Sequence, residues 1–360
     1  MARAYNFSAG PAVLPAAVLR QAQESLLEWR DSGLSVMEMS HRGKEFSALA
    51  NQAEEDLREL LGVPQSHRIL FLQGGATGQF AAIPMNLLRA RARADYVNTG
   101  NWSKKAIAEA TKYCTVSVVA TGGNDDPMSI PAQSDWRLDP DAAYLHYTPN
   151  ETISGVEFHW VPRVGEVPLV ADMSSTLLSR PIDVARFGLI YAGAQKNIGP
   201  AGLTVVIVRE ELIGKAAAAT PAVWDYGRQS EADSMLNTPP TYAWYIAGLV
   251  FQWLKDQGGL EAIARVNKRK ADNLYAAIDG SEFYRNPVHP TCRSWMNVPF
   301  VLAEPTLDER FLADAKAAGL LGLKGHRSVG GMRASLYNAM PEAGVDTLIA
   351  FMSDFEKRWG

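Results

Sequence analysis

The chain has 360 residues, 47% of them hydrophobic, which allows a sizeable core in two domains or in one large domain with a smaller companion. A formal net charge of −4 supplies no basic field and points to no nucleic-acid partner. The two scattered cysteines, Cys114 and Cys292, make neither a disulfide framework nor a zinc site and fit a reducing cytoplasm.

Met1 to Pro11 lacks the basic start and apolar run of a secretory signal. Arg68 to Leu72 reads as a strand, followed by Gln73-Gly-Gly-Ala-Thr-Gly78 and a helical run through Leu88. Tyr96 to Asn98 reads as a strand, and the spacing predicts a helix from Ser103, as N-cap, to Tyr113. Thr115 to Ala120, Tyr144 to Tyr147, Leu169 to Ala171, Leu189 to Tyr191 and Leu203 to Val208 are further predicted strands. Several are apolar throughout, as strands covered on both faces tend to be. The longest apolar stretch, near Tyr242 to Leu254, is too short to span a bilayer and reads as a buried or subunit-interface helix, so no membrane attachment is expected. After Gly258 the pattern changes: a charged helix over Leu260 to Ile278, a strand over Ser294 to Val301, a helix over Leu307 to Ala318, a strand near Met332 to Leu336 and a last helix from Glu342 to Trp359. The fold class is therefore α/β, with a large domain over 16–258 built on a mainly parallel sheet, and a smaller α/β domain over 259–360. The arm 1–15 is expected to pack against the smaller domain.

Parallel sheets hold ligands at the carboxyl ends of their strands, so polar residues just after those strands carry the functional reading. Lys196 follows a strand in a loop rich in Gly and Pro (Tyr191 to Gly202), where small neighbours let a bulky group approach and a partly desolvated cleft favours a neutral amine. The alternative is a solvated loop lysine. Asp172 ends the apolar run Val167 to Ala171; its carboxylate suits a protonated ring nitrogen, although Asp is also a common strand-end cap. Gly74 to Gly78 opens a helix whose free N–H groups suit a phosphate, or is only a tight turn. Trp102 stands where an aromatic ring can stack on a flat cofactor, with core packing as the plainer reading. Thr152 could bond a phenolic oxygen or merely cap its loop. Three basic clusters, around His41 and Arg42, around His326 and Arg327, and at Arg333, are each unremarkable surface patches when taken singly. Together they suggest an anionic substrate, because arginine forks bind carboxylate or phosphate through paired hydrogen bonds.

Nearly the whole chain, from YNFSAGP at 5–11 through VMEMSHRGKEF at 36–46, SSTLLSRPID at 174–183, Tyr191 to Leu203, NTPP at 237–240 and KGHRSVGGMRA at 324–334, resembles the class V aminotransferases of fold type I, and among them the phosphoserine aminotransferase family. The resemblance implies pyridoxal 5′-phosphate (PLP) carried as an internal aldimine on Lys196, with Asp172 as the pyridinium partner. It further implies Trp102 stacked on the ring and Thr152 on the phenolic oxygen. Ala76, Thr77 and Gln195 would hold the phosphate, with Asn237 and Thr238 reaching in from the second subunit of a homodimer. Arg333 would bind the substrate α-carboxylate; Arg42, His326 and Arg327, with His41 nearby, would bind the distal anion. Thr77 stands where some family members place an arginine, and backbone binding of the phosphate is expected to survive that change. The implied reaction joins L-glutamate and O-phospho-L-serine with their oxo acids, and the phosphorylated hydroxythreonine precursor of pyridoxine is a further expected substrate. A desulfurase on the same fold would need a reactive cysteine on a mobile loop, which neither Cys114 nor Cys292 offers by position.

Overall fold

The computed structural model describes residues 3–123, 125 and 127–360. In chain order, β1 (Tyr5–Asn6) precedes α1 (Ala16–Glu24) and α2 (Lys44–Leu61). An alternating stretch follows: β2 (His67–Leu72), α3 (Gly75–Leu87), β3 (Arg93–Asn98), α4 (Asn101–Ala110), β4 (Thr115–Thr121), β5 (Leu145–Tyr147), β6 (Asn150–Glu151), β7 (Val156–Glu157), β8 (Leu169–Asp172), β9 (Leu189–Gly193) and β10 (Thr204–Arg209). Then come α5 (Tyr226–Glu231), α6 (Thr241–Asp256), α7 (Gly259–Asp279), β11 (Tyr284–Arg285), β12 (Asn297–Leu302), α8 (Asp308–Ala317), β13 (Leu320–Leu321), β14 (Met332–Ser335) and α9 (Glu342–Trp359).

The central sheet has the order β2-β10-β9-β8-β5-β3-β4. Only β10 runs against its neighbours, β2 and β9; the other pairs are parallel. Alternate side chains leave opposite faces, which is why the strands read as unbroken apolar runs. Leu70, Leu72, Val170 and Tyr191 pack with residues of α3 and α4 on one face, whereas Ile69, Phe71, Ala171 and Ile190 pack with α2 and α6 on the other. The apolar stretch near 242–254 lies in α6, which is buried along most of its length; no helix among the described residues is long and apolar enough to cross a membrane.

A second core gathers α7, α8 and α9 on the sheet β11-β12-β14. Phe7 and Val13 of the N-terminal arm belong to it, and β1 pairs in parallel with β13. The helix α7 serves both cores, since Leu260 and Ile263 face the first whereas Leu274 and Ile278 face the second.

One predicted boundary is corrected. Ser103 is not the N-cap of α4, which begins at Asn101 after Gly100. Its hydroxyl instead accepts from the backbone N–H of Thr99 and Gly100 (2.9 and 3.0 Å), satisfying donors ahead of the helix from inside the first turn.

Candidate active site

The strands β3, β5, β8 and β9 end at one edge of the sheet, so the segments that follow them converge. Ala76, Trp102, Thr152, Asp172, Gln195 and Lys196 line a single small cavity, together with Thr148, Asn150, Ser174 and Ser175. Larger open grooves, one between α1, α2 and α6 and one around Trp160 and Trp295, contain none of the predicted residues.

Lys196 is buried in the turn between β9 and β10, and its Nζ donates to Thr152 Oγ1 at 2.7 Å. Burial lowers its amine to about 8, against the pull of Asp172 and with help from the Arg333 guanidinium. A base with a lowered pKa is free at lower pH, so in the cofactor-free protein acylation of Lys196 is expected to rise with a midpoint near 8. Peptide-resolved labelling across pH checks this, and an unperturbed lysine midpoint would contradict the burial.

Asp172 Oδ1 accepts from Ser174 N–H (3.0 Å) and Ser174 Oγ (2.6 Å). Burial raises this carboxyl, whereas Ser174 and the Lys196 ammonium oppose the rise. Behind it, the Tyr191 hydroxyl lies 2.9 Å from His146 Nε2, and burial of that imidazole lowers its pKa to about 3, which keeps it neutral.

Trp102 is held through its backbone. Its N–H donates to Glu151 Oε2 (2.9 Å), while Ser103 N–H and Oγ donate to Oε1 (2.9 and 2.7 Å). Burial raises the Glu151 carboxyl, and the hydrogen bonds from Ser103 and Trp102 work against that. Gly100 permits the approach, because a Cβ there would sit 2.6 Å from Glu151 Cδ. Lys196 Nζ lies 5.8 Å from the Trp102 ring centroid, Lys105 Nζ lies 4.3 Å from it, and the buried indole Nε1 has no hydrogen-bond partner among the described residues. At the start of α3, Gly74 and Gly75 have left-handed φ of 92° and 64°, and no side chain caps the first turn.

Arg333 of β14 reaches Thr152 O (3.4 Å) with Nη1, and its buried Nε has no hydrogen-bond partner among the described residues. His326 and Arg327 lie in the 324–331 segment ahead of it; the Ser328 hydroxyl bonds His326 Nδ1 (2.7 Å) and accepts from Asn101 Nδ2 (3.1 Å), next to Trp102. Burial lowers the His326 pKa, and Arg333, Arg327 and Lys105 add to the effect, so these cations share one field. Of the predicted residues, Thr77, His41, Arg42, Asn237, Thr238, His326, Arg327 and Arg333 do not line this cavity within one chain. The sequence reading missed Thr148, Asn150, Ser174, Ser175, Glu151 and Lys105; the Ser174-Ser175 pair, one residue beyond Asp172, was the available signal. Cys292 is buried, and Cys114 lies directly before β4 with its thiol pushed up by burial; neither lines the cavity.

Comparison with known proteins gives concordant matches. Residues 4–348 match the family described as aminotransferase class-V. The chain is 62% identical to the phosphoserine aminotransferase of Hahella chejuensis and 59% identical to that of Pseudomonas aeruginosa, with 99% of both chains covered in each case. The phosphoserine aminotransferase structure from Bacillus circulans subsp. alkalophilus superposes with a TM-score of 0.97 at 46% identity, covering 99% of both chains. A PLP-bound phosphoserine aminotransferase from Trichomonas vaginalis superposes at 0.94 with 44% identity, covering 98% of this chain and all of that one. A chain that shares this fold throughout, and most of its sequence with two such enzymes, belongs to the class V aminotransferases and stands among the phosphoserine aminotransferases within them.

Proposed function

We propose that the enzyme moves an amino group between L-glutamate and 3-phosphooxypyruvate, giving O-phospho-L-serine and 2-oxoglutarate, as a cytoplasmic homodimer with PLP in the cavity. It would serve serine biosynthesis and also accept 4-phosphooxy-L-threonine on the route to pyridoxine. The observation that carries the reading is the meeting of a buried, weakly basic Lys196 with Asp172 in one cavity beside a cluster of cations.

The residues present fit PLP. The uncapped first turn of α3 offers N–H groups to a phosphate at Ala76 and Thr77, with Gln195 beside it. Trp102 and Thr148 line the cavity, and the indole Nε1 and Thr148 hydroxyl have no hydrogen-bond partner among the described residues. Asp172 would keep the pyridine nitrogen protonated, and Trp102 would cover the ring. When bound, PLP supplies the electron sink. Lys196 Nζ would take the proton from the substrate Cα, and Thr152, its present partner, would turn to the phenolic oxygen. Arg333 would anchor the α-carboxylate.

Glutamate and phosphoserine share a geometry. Counting outward from Cα, the distal carboxylate carbon and the phosphorus are each the third atom, so one cluster around His326 and Arg327 can read both. Loss of a charge-assisted contact costs about 1.5–3 kcal/mol. Arg327→Ala is therefore expected to lower kcat/KM for glutamate and phosphoserine together by at least about tenfold, and for alanine far less. Steady-state kinetics with the three amino acids make the test; equal losses would move Arg327 out of the distal-anion site.

Asn237 and Thr238, which do not line the cavity of their own chain, would reach the cofactor phosphate from the second subunit. Light scattering at working concentration is expected to give a dimer, and a fully active monomer would remove both from the site.

A further inference from the structure

A second lysine is buried on α7. Lys270 is 1% exposed, and its Nζ donates to three carbonyls, Leu336 O (2.6 Å), Tyr337 O (2.9 Å) and Met340 O (3.0 Å). Three acceptors require three N–H bonds, which an ammonium has and a neutral amine lacks. Burial draws this amine down to about 7, and the carboxylate that opposes the shift, Glu342, is already paired with Arg269 at 2.9 Å. The charge is therefore met chiefly by backbone dipoles rather than by a buried carboxylate.

The three carbonyls belong to the turn between β14 and α9, and that turn touches the site from two directions. β14 carries Arg333. Asn338 N–H donates to Asn197 Oδ1 (3.0 Å), next to Lys196, and Asn338 Nδ2 donates to Leu178 O (2.9 Å). Asn267, one helical turn before Lys270, donates to Asn338 Oδ1 (2.8 Å) and Ser179 O (3.0 Å). Without its cation the Leu336, Tyr337 and Met340 carbonyls would lose a shared buried donor.

We propose that Lys270 is a positioning residue, a tethered ammonium around which the Leu336–Met340 turn folds so as to fix Asn197 beside Lys196 and the strand that bears Arg333. The inference rests on the roles proposed above for Lys196 and Arg333. A cage of three carbonyls also suits a free monovalent cation of ammonium or potassium size, so removing the side chain leaves a cage such an ion can enter.

Two variants of the full-length protein test this, Lys270→Ala, which empties the cage, and Lys270→Met, which fills it without charge. Both are expected to lose hydrogen-exchange protection over 333–340 and 196–198, and to lose at least about tenfold in kcat/KM for phosphoserine, the scale of a charge-assisted contact. In Lys270→Ala, ammonium or potassium chloride should restore protection and rate several-fold, and tetramethylammonium chloride should not; Lys270→Met should respond to neither. Wild-type protection in Lys270→Met, or lost protection in Lys270→Ala that no cation restores, overturns the proposal. If the alanine variant is recovered unfolded, its refolding yield in potassium against tetramethylammonium decides the matter, and equal yields count against the cage. Exchange is read without substrate, so a wrong substrate assignment leaves that result standing.

Discussion

Lys196→Ala is expected to lose turnover by at least about a thousandfold while the protein stays folded, within the range that general acid–base catalysis supplies. Among the described residues the side chain donates one hydrogen bond, to Thr152, and relief of a buried amine offsets its loss, so the thermal midpoint should move little. Basicity alone would not single it out, because Lys270 is drawn further down, to about 7, than Lys196, at about 8. Geometry decides between them: Lys270 spends its donors on three carbonyls, whereas Lys196 opens into the cavity. Borohydride reduction of the PLP-loaded protein followed by peptide mapping should label Lys196. Label on Lys270, or on the exposed Lys104 or Lys215, would overturn the proposed site.

Asp172→Asn is expected to keep the fold and the cofactor content and to lower kcat by about a hundredfold or more, the scale on which a preorganised electrostatic partner acts. The amide has the size of the carboxylate, and its oxygen can still accept from Ser174 N–H and Oγ. What disappears is the charge that would hold a proton on the ring nitrogen. The same charge supports the Lys196 ammonium against burial, so the Lys196 labelling midpoint should fall further in this variant. Near-normal turnover with full cofactor content would count against the role.

The layers of the large domain were legible because a strand covered on both faces writes an unbroken apolar run. The positions of β2 to β5 and of β8 to β10 were therefore readable to within a few residues, and the ends of β8 and β9 identified Asp172 and Lys196 as residues that could meet. The helix α2 escaped the sequence reading even though Phe46, Ala50, Ala53, Leu57 and Leu61 bury one face at helical spacing, since its small alanines weaken the apolar signal. The strands β6 and β7 are too short to show a period. Contacts across the fold were out of reach for a different reason: nothing local to Glu151 says that it binds the N–H of Trp102, nor anything local to Lys270 that three carbonyls surround it. Such pairings exist only once elements distant in sequence have packed.

Lys196 is presented by a hairpin. Thr204 pairs with Gly193, Ala194 N–H bonds Leu203 O at 3.0 Å, and Ala194 O takes the N–H of both Lys196 and Gly199 (2.7 and 2.8 Å). Surface loops generally absorb insertions at little thermodynamic cost. Here both ends of the loop are clamped into the middle of a sheet, and an extra residue has to be taken up within the segment that aims the amine. For redesign, this marks 194–203 as a fixed-length component: new specificity can be sought on the arms that bear His326 and Arg327, while a change of even one residue in the length of this turn would redirect the amine.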